Sequence, residues 1–175
     1  MINFFWRLIA KLLARPAIAD YLIARAKLTP YQHIMSADGT EMYMGRWWLF
    51  NPYSRETHKP ALWWCPWSLR IHHIMREDAD RDLHDHPWNA RTIILRGWYT
   101  EERRIFWLAG GHIDVERHRS TGDTARLNHG EYHRIDQVSP GGVITLFITS
   151  KWRGDWGFLV NGVKVPWRTY TGTDN

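Results

Sequence analysis

His84 and His86 stand one residue apart in Leu83-His84-Asp85-His86-Pro87-Trp88. In extended backbone, alternate side chains share a face, so the two imidazoles point one way about 7 Å apart and Asp85 points the other. Two imidazoles on one face can chelate a metal, but zinc and iron are rarely held by fewer than three protein ligands, so a third donor is needed. His133 is the candidate. It follows Gly130 by three residues in Asn128-His129-Gly130-Glu131-Tyr132-His133, where a glycine turn leads into a strand-like run. Alternation along Arg70-Ile71-His72-His73-Ile74 requires one of His72 and His73 to face inward, as a partner of a ligand, a substitute ligand or a hydrogen-bonded core histidine. His129 belongs to the turn, and His33, His58, His112 and His118 have no such company.

Other side chains near these histidines can handle an anion or a proton. Arg76, Arg91, Arg96 and Arg134 lie in or beside strand-like runs, and an inward guanidinium binds a carboxylate or phosphate through two parallel hydrogen bonds. Arg91 and Arg96 have opposite parity, so at most one of them faces in. Trp88 and Trp98 are large enough to stack on a planar ligand, although core packing is the commoner task of tryptophan. Tyr132 and Asp136 flank His133 as proton-handling candidates. Cys65, the single cysteine, has no disulfide partner and reads as a buried small hydrophobe within Trp63-Trp64-Cys65-Pro66-Trp67. No P-loop, dinucleotide fingerprint or nucleophile elbow is present. Lys and Arg outnumber Asp and Glu by 23 to 18, which favours anionic partners. The basic residues are scattered, so nothing supports a nucleic-acid interface.

The elements that must position these residues change character along the chain. Phe5, Leu8, Ile9, Leu12 and Leu13 recur at helical spacing, with Arg7, Lys11 and Arg15 on another face, which predicts a helix over 3–15. Pro16 interrupts it and opens a second helix to Lys27, with Ile18, Tyr21, Leu22 and Ile23 inward, stopped by Thr29-Pro30. No uninterrupted apolar run in this arm is long enough to span a membrane. Its apolar stripe packs on the body or on a second copy of the chain, with a membrane surface as the weaker alternative.

From Met42 the period shortens. Runs at 42–50, 70–76, 90–96, 98–108, 113–119, 125–127, 132–136, 143–149, 156–160 and 163–167 read as strands, while 51–68 is a long loop whose tryptophans could cover a barrel end. Asn161-Gly162 is the strongest hairpin signal. About ten short strands with frequent turns predict a mainly β, closed or double-sheet antiparallel architecture such as a jelly-roll barrel. Residues 1–30 form a helical arm and 31–175 the barrel, together one domain.

The spacing His84-x-His86 with Gly97, followed by Gly130-x2-His133, resembles the two motifs of the cupins, G-x5-H-x-H-x(3,4)-E-x6-G and G-x5-P-x-G-x2-H-x3-N. The resemblance implies that the three histidines converge inside a small β-barrel. The motif glutamate falls at Ala90 or Arg91, neither of which ligates a metal. Asn128 and Gln137 replace the proline and the final asparagine of the second motif. What remains implied is a three-histidine site, as in thiol-dioxygenase-like cupins or some zinc sites, or a site that has lost its metal. Arg81 through Trp88, then Ile93 through Tyr99, Thr145-Leu146-Phe147 and Asp155-Trp156-Gly157-Phe158 also look like a group of small cupin-like proteins of bacteriophages and bacteria, which implies a host-cytoplasmic setting.

The expected function is a cupin-type metalloenzyme, dioxygenase-, hydrolase- or isomerase-like. One divalent ion (Fe, Zn, Mn or Ni) sits on His84, His86 and His133, and a small anionic molecule is anchored by Arg91 or Arg96, with Trp88 and Arg134 beside it. The competing expectations are a non-catalytic barrel that sequesters a phosphorylated or nucleotide-like ligand, and an assembly module that forms homo-oligomers through the helical arm.

Overall fold

The computed structural model describes residues 2–36, 39–54, 56–80, 82–107 and 110–173. Two helices, α1 (Ile2–Leu13) and α2 (Pro16–Lys27), precede the strands β1 (Ile34–Met35), β2 (Met42–Phe50), β3 (Ser68–Ile74), β4 (Ala90–Arg96), β5 (Trp98–Phe106) and β6 (His112–Ser120). The chain continues through β7 (Thr124–Leu127), β8 (His133–Val138), β9 (Val143–Thr149), β10 (Gly157–Val160) and β11 (Val163–Pro166) to α3 (Trp167–Thr171). β1 and α3 were not legible in the alternation, and α3 takes Trp167 out of the strand expected over 163–167. Arg81 of the histidine motif and Leu108 of the run 98–108 lie outside the described residues.

One sheet runs in the order β1-β2-β3-β9-β4-β7, and β6-β5-β8 forms a second. The segment around His84 extends the second sheet, because it bridges antiparallel to His133 in β8 on one side and to Phe158 in β10 on the other. The backbone bonds His84 N–H to His133 O and His133 N–H to His84 O, both 2.9 Å, fasten this rung. The β10-β11 hairpin closes it through Asn161-Gly162, both at positive φ as a tight two-residue turn demands. Gly97 turns β4 into β5 at φ +78°, where an added Cβ would lie 2.4 Å from Ser139 Oγ and 2.8 Å from Gly142 O. Only glycine fits there.

The helical arm packs on the outer face of the first sheet. Ala10, Ala19, Ile23 and Ala26 are buried against Ile71, Ile93, Leu95 and Leu146. Three of the four buried helix residues are alanines, since small side chains let a helix approach a sheet of branched ones closely, and Ile23, Trp6 and Leu13 fill the space around them. The expected inward faces are therefore shifted: Trp6, Ala10 and Leu13 pack from α1, while Phe5, Leu8, Ile9 and Leu12 are exposed, and Tyr21 of α2 points to solvent. No described helix is long and apolar enough to cross a membrane. Inside the barrel, Ile74, Ile94, Tyr99, Ile135 and Val143 fill one end with apolar side chains. The other end holds polar groups.

Candidate metal centre

The reciprocal backbone bonds between His84 and His133 make them a directly opposed pair, and strand alternation brings His86 to the same face. Asp85 points the other way and is buried, accepting hydrogen bonds from Gly157 N–H (2.7 Å) and Lys164 Nζ (2.6 Å). The rings of His84, His86 and His133 sit 4.8 to 5.2 Å apart between centroids, nearer than the 7 Å of flat alternation. One ligand atom from each lies within 4.8 Å of the others. His86 Nε2 and His133 Nε2 are 3.0 Å apart. Metal–nitrogen bonds of about 2.1 Å place two ligand nitrogens roughly 3.0 to 3.4 Å from each other, so this pair fits a shared ion.

The surroundings keep the donors available. Burial, partly opposed by the Asp78 carboxylate, brings the His84 pKa down to about 4. Burial and then the neighbouring His84 and His133 hold His86 well below its ordinary value. Neutral imidazole is the form that ligates a metal. His133 is oriented by Glu101, a buried carboxylate of β5 whose Oε2 lies 3.3 Å from His133 Nδ1. Burial raises the Glu101 pKa, but the His133 bond and the charges of Arg103 and Arg119 outweigh it and bring the group to about 2. An ionised carboxylate only accepts hydrogen bonds, so His133 Nδ1 carries the proton and its Nε2 lone pair faces the other histidines. Asp78 plays a looser part at His84, with Oδ2 4.0 Å from Nδ1, and is itself held by Tyr43 Oη and Ile135 N–H.

The remaining wall is aromatic and cationic. Trp88 stacks on His86 at 5.1 Å and 18°, and Phe147 stands edge-on to both. His72 is the inward member of its pair and stacks on Phe147. Burial, then Arg70 and Arg46, push its pKa far down, and its Nε2 is buried without a partner. His73 points out and meets Gly141 O at 2.9 Å. Arg70, also inward from β3, is 2% exposed. Its guanidinium carbon lies 4.9 to 6.0 Å from the ring centres of Trp88, Trp48, Tyr53, Phe147 and Tyr31.

Beside Trp88 and Tyr53 opens a hollow of about 340 Å³, lined further by Trp63, Trp64 and Trp152. Trp63, Trp64 and Trp67 are exposed, and the first two line this hollow. Asn51, buried at φ 49°, shapes this loop by bonding Cys65 O, Trp67 O and Leu62 N–H through its side chain.

The other expected site residues lie elsewhere. Arg91 is on the outer face of β4, over the Trp6 ring at 4.7 Å and bonded to Thr124 Oγ1. Arg96 follows a bulge in the β4-β9 pairing and ion-pairs with Asp20 of α2. Both are claimed by the helical arm because their neighbours Ile93 and Leu95 form its contact surface. Arg134 and Asp136 alternate with inward His133 and Ile135, so they face outward, paired with each other at 2.7 Å and, for Arg134, with Glu102 at 3.0 Å. Tyr132 has the same outward parity and meets Phe106 edge-on. None of these five reaches the histidines. The residues that do and were not anticipated are Glu101 and Asp78, while the equally unanticipated Arg70 meets the cluster through Trp88, which stacks on His86.

Neither a family model nor a curated protein sequence matches the chain. Solved structures of cupin-family proteins do match in fold. The DMSP lyase DddQ of Ruegeria pomeroyi DSS-3 is 16% identical, with 87% of this chain and 68% of that one covered, at a TM-score of 0.53. A vicilin from Solanum melongena with anionic ligands in structurally similar pockets is 12% identical over 81% of this chain and 35% of its own, at 0.55. The formate complex of Lactobacillus farciminis oxalate decarboxylase is 12% identical over 84% and 36%, at 0.51. The chain spans about a third of the length of the last two. The fold is thus a cupin-like antiparallel jelly-roll barrel with an N-terminal helical arm.

Proposed function

We propose that the chain is a cupin-type metalloenzyme that holds one divalent ion on His84, His86 and His133 and acts on a small anionic molecule. The observation that carries this reading is the convergence of the His84, His86 and His133 imidazoles, the last of them oriented by the Glu101 carboxylate at its Nδ1 so that Nε2 faces the other two. Bound there, a divalent ion supplies Lewis acidity toward an oxygen of the substrate or of water. Three neutral ligands leave its charge uncompensated, which favours an anionic fourth ligand. The neighbours support an anionic occupant, since one is named for oxalate and crystallised with formate and another holds anionic ligands.

The chain's own groups perform the other tasks. Glu101 keeps the proton on His133 Nδ1, and Arg103 and Arg119 keep Glu101 ionised. Trp88, Phe147, Trp156 and Phe158 pack against the histidine rings and reduce their contact with solvent, which strengthens charge interactions within. Purified protein from metal-supplemented medium tests the reading by elemental analysis. About one metal per chain, lost in His84→Ala/His133→Ala, supports it.

A second reading, a non-catalytic barrel that sequesters an anionic ligand, is favoured by the aromatic hollow beside Trp88. Native mass spectrometry separates the two: an organic ligand retained without metal favours sequestration, and metal without ligand favours the enzyme.

A further inference from the structure

A charged side chain buried without a counter-ion is the least expected feature of the barrel. Arg70 is 2% exposed, and no carboxylate of the described residues lies within ion-pair distance of it. Leaving a buried ion uncompensated costs several kcal/mol. The five rings around it return part of that through attraction to the cation. A ring face is nonetheless a weak acceptor for the in-plane N–H groups of a guanidinium.

Those N–H groups are divided in a telling way. Nη1 donates to Tyr53 Oη at 3.2 Å. Nε and Nη2 are buried and have no hydrogen-bond partner. Nε and Nη2, the terminal nitrogen on the Nε–H side, form one edge of the fork and present two parallel N–H bonds. That edge matches the two oxygens of a carboxylate. The unpartnered His72 Nε2 belongs to the same neighbourhood, since the His72 ring stacks 4.8 Å from Phe147, which Arg70 also faces at 5.5 Å.

The cage and a neighbouring hollow share two rings. Tyr53 and Trp88, two of the caging rings, are also walls of the 340 Å³ hollow. The cage also adjoins the histidine cluster, since Trp88 stacks on His86. Besides Tyr53 and the tryptophans, the polar side chains that line the hollow are His58, Ser68, Ser150 and Lys151, and Arg70 adjoins it only through Tyr53 and Trp88. A volume of this size accepts one ring with a short substituent.

We propose that the Nε–Nη2 edge of Arg70 is the anion anchor of this barrel, binding the carboxylate of a small flat molecule whose body lies in the aromatic hollow between Tyr53, Trp63, Trp64 and Trp88. The proposed function enters at one point only, the placing of this anchor next to a metal-bearing His86. The anchor itself is a property of the metal-free chain.

The test is a titration followed by the side-chain Nε–H resonance of Arg70, assigned by its absence in Arg70→Lys. Benzoate, acetate, benzamide and inorganic phosphate are the probes, each added to chelator-treated and to metal-loaded protein. Benzoate moves the resonance saturably at millimolar concentration or below in both forms, acetate does so more weakly, and neutral benzamide leaves it unmoved. Arg70→Lys keeps the charge inside the cage but not the fork, and it weakens benzoate binding, read by calorimetry, about tenfold or more. Arg70→Met abolishes that binding. An Arg70 resonance unmoved by benzoate and acetate in both forms overturns the anchor, as does Arg70→Lys binding benzoate as tightly as the parent. A response to phosphate alone overturns the carboxylate assignment. Because the chelated protein is included, loss of the metal reading leaves this result interpretable on its own.

Discussion

The two faces of β3 bury opposite kinds of side chain. Leu69 and Ile71 look out toward the helical arm, where they join Ile93, Leu95, Leu146 and three buried alanines in an apolar cluster, with Arg91 and the Arg96–Asp20 pair at its margin. Arg70 and His72 look in, where buried nitrogens stand without partners. A small barrel ordinarily fills its interior with apolar side chains for stability. Here much of that burial has moved to the outer face, and the apolar part of the interior is confined to one end around Ile94 and Val143. The comparison teaches that the arm is what allows the other end of the barrel to be polar. A fold whose stability is anchored outside can keep strained, unsatisfied chemistry inside.

If stability and binding are divided in this way, changes on the two faces have separable effects. The largest is expected on the outer face: Leu146→Ala lowers unfolding free energy by about 2 to 5 kcal/mol in denaturant titrations while metal content per folded chain stays the same. Glu101→Gln comes next. It keeps the shape of the side chain but releases the tautomer of His133, and metal affinity measured by competition with a chelator falls about 10- to 100-fold. Equal affinity in this variant would show that Glu101 serves only Arg103 and Arg119. The smallest effect is on the exposed side of α1, where Leu8→Ser changes stability by no more than about 0.5 kcal/mol. Light scattering on the same variant sharpens the contrast, because a change in oligomeric state would make that side of the arm an interface between copies.

How much of this was readable beforehand follows from the range of the interactions. The helices were visible through local apolar spacing and Pro16, and the hairpin through Asn161-Gly162. The shared face of His84 and His86 followed from alternation alone. Glu101 was hidden within Glu101-Glu102-Arg103-Arg104, a run that reads as solvated charge, and its meeting with His133 depends on pairing across more than thirty residues. Arg70 stood at the edge of a strand run, with cage rings drawn from residues 31, 48, 53, 88 and 147. Arg91 and Arg96 were misdirected for a related reason. Parity could be counted along β4, but which parity faces in was decided by the helices, whose alanines select Ile93 and Leu95 as the outer surface.

The central claim is that the polar end of the barrel is a metal centre. Elemental analysis of protein purified without chelator from medium supplemented with iron, zinc, manganese and nickel tests it most directly, alongside His84→Ala/His133→Ala prepared in parallel. The account predicts about one metal per chain in the parent and none above background in the double variant, with both proteins folded. A folded parent that carries no metal, or a double variant that retains it in full, would contradict the account.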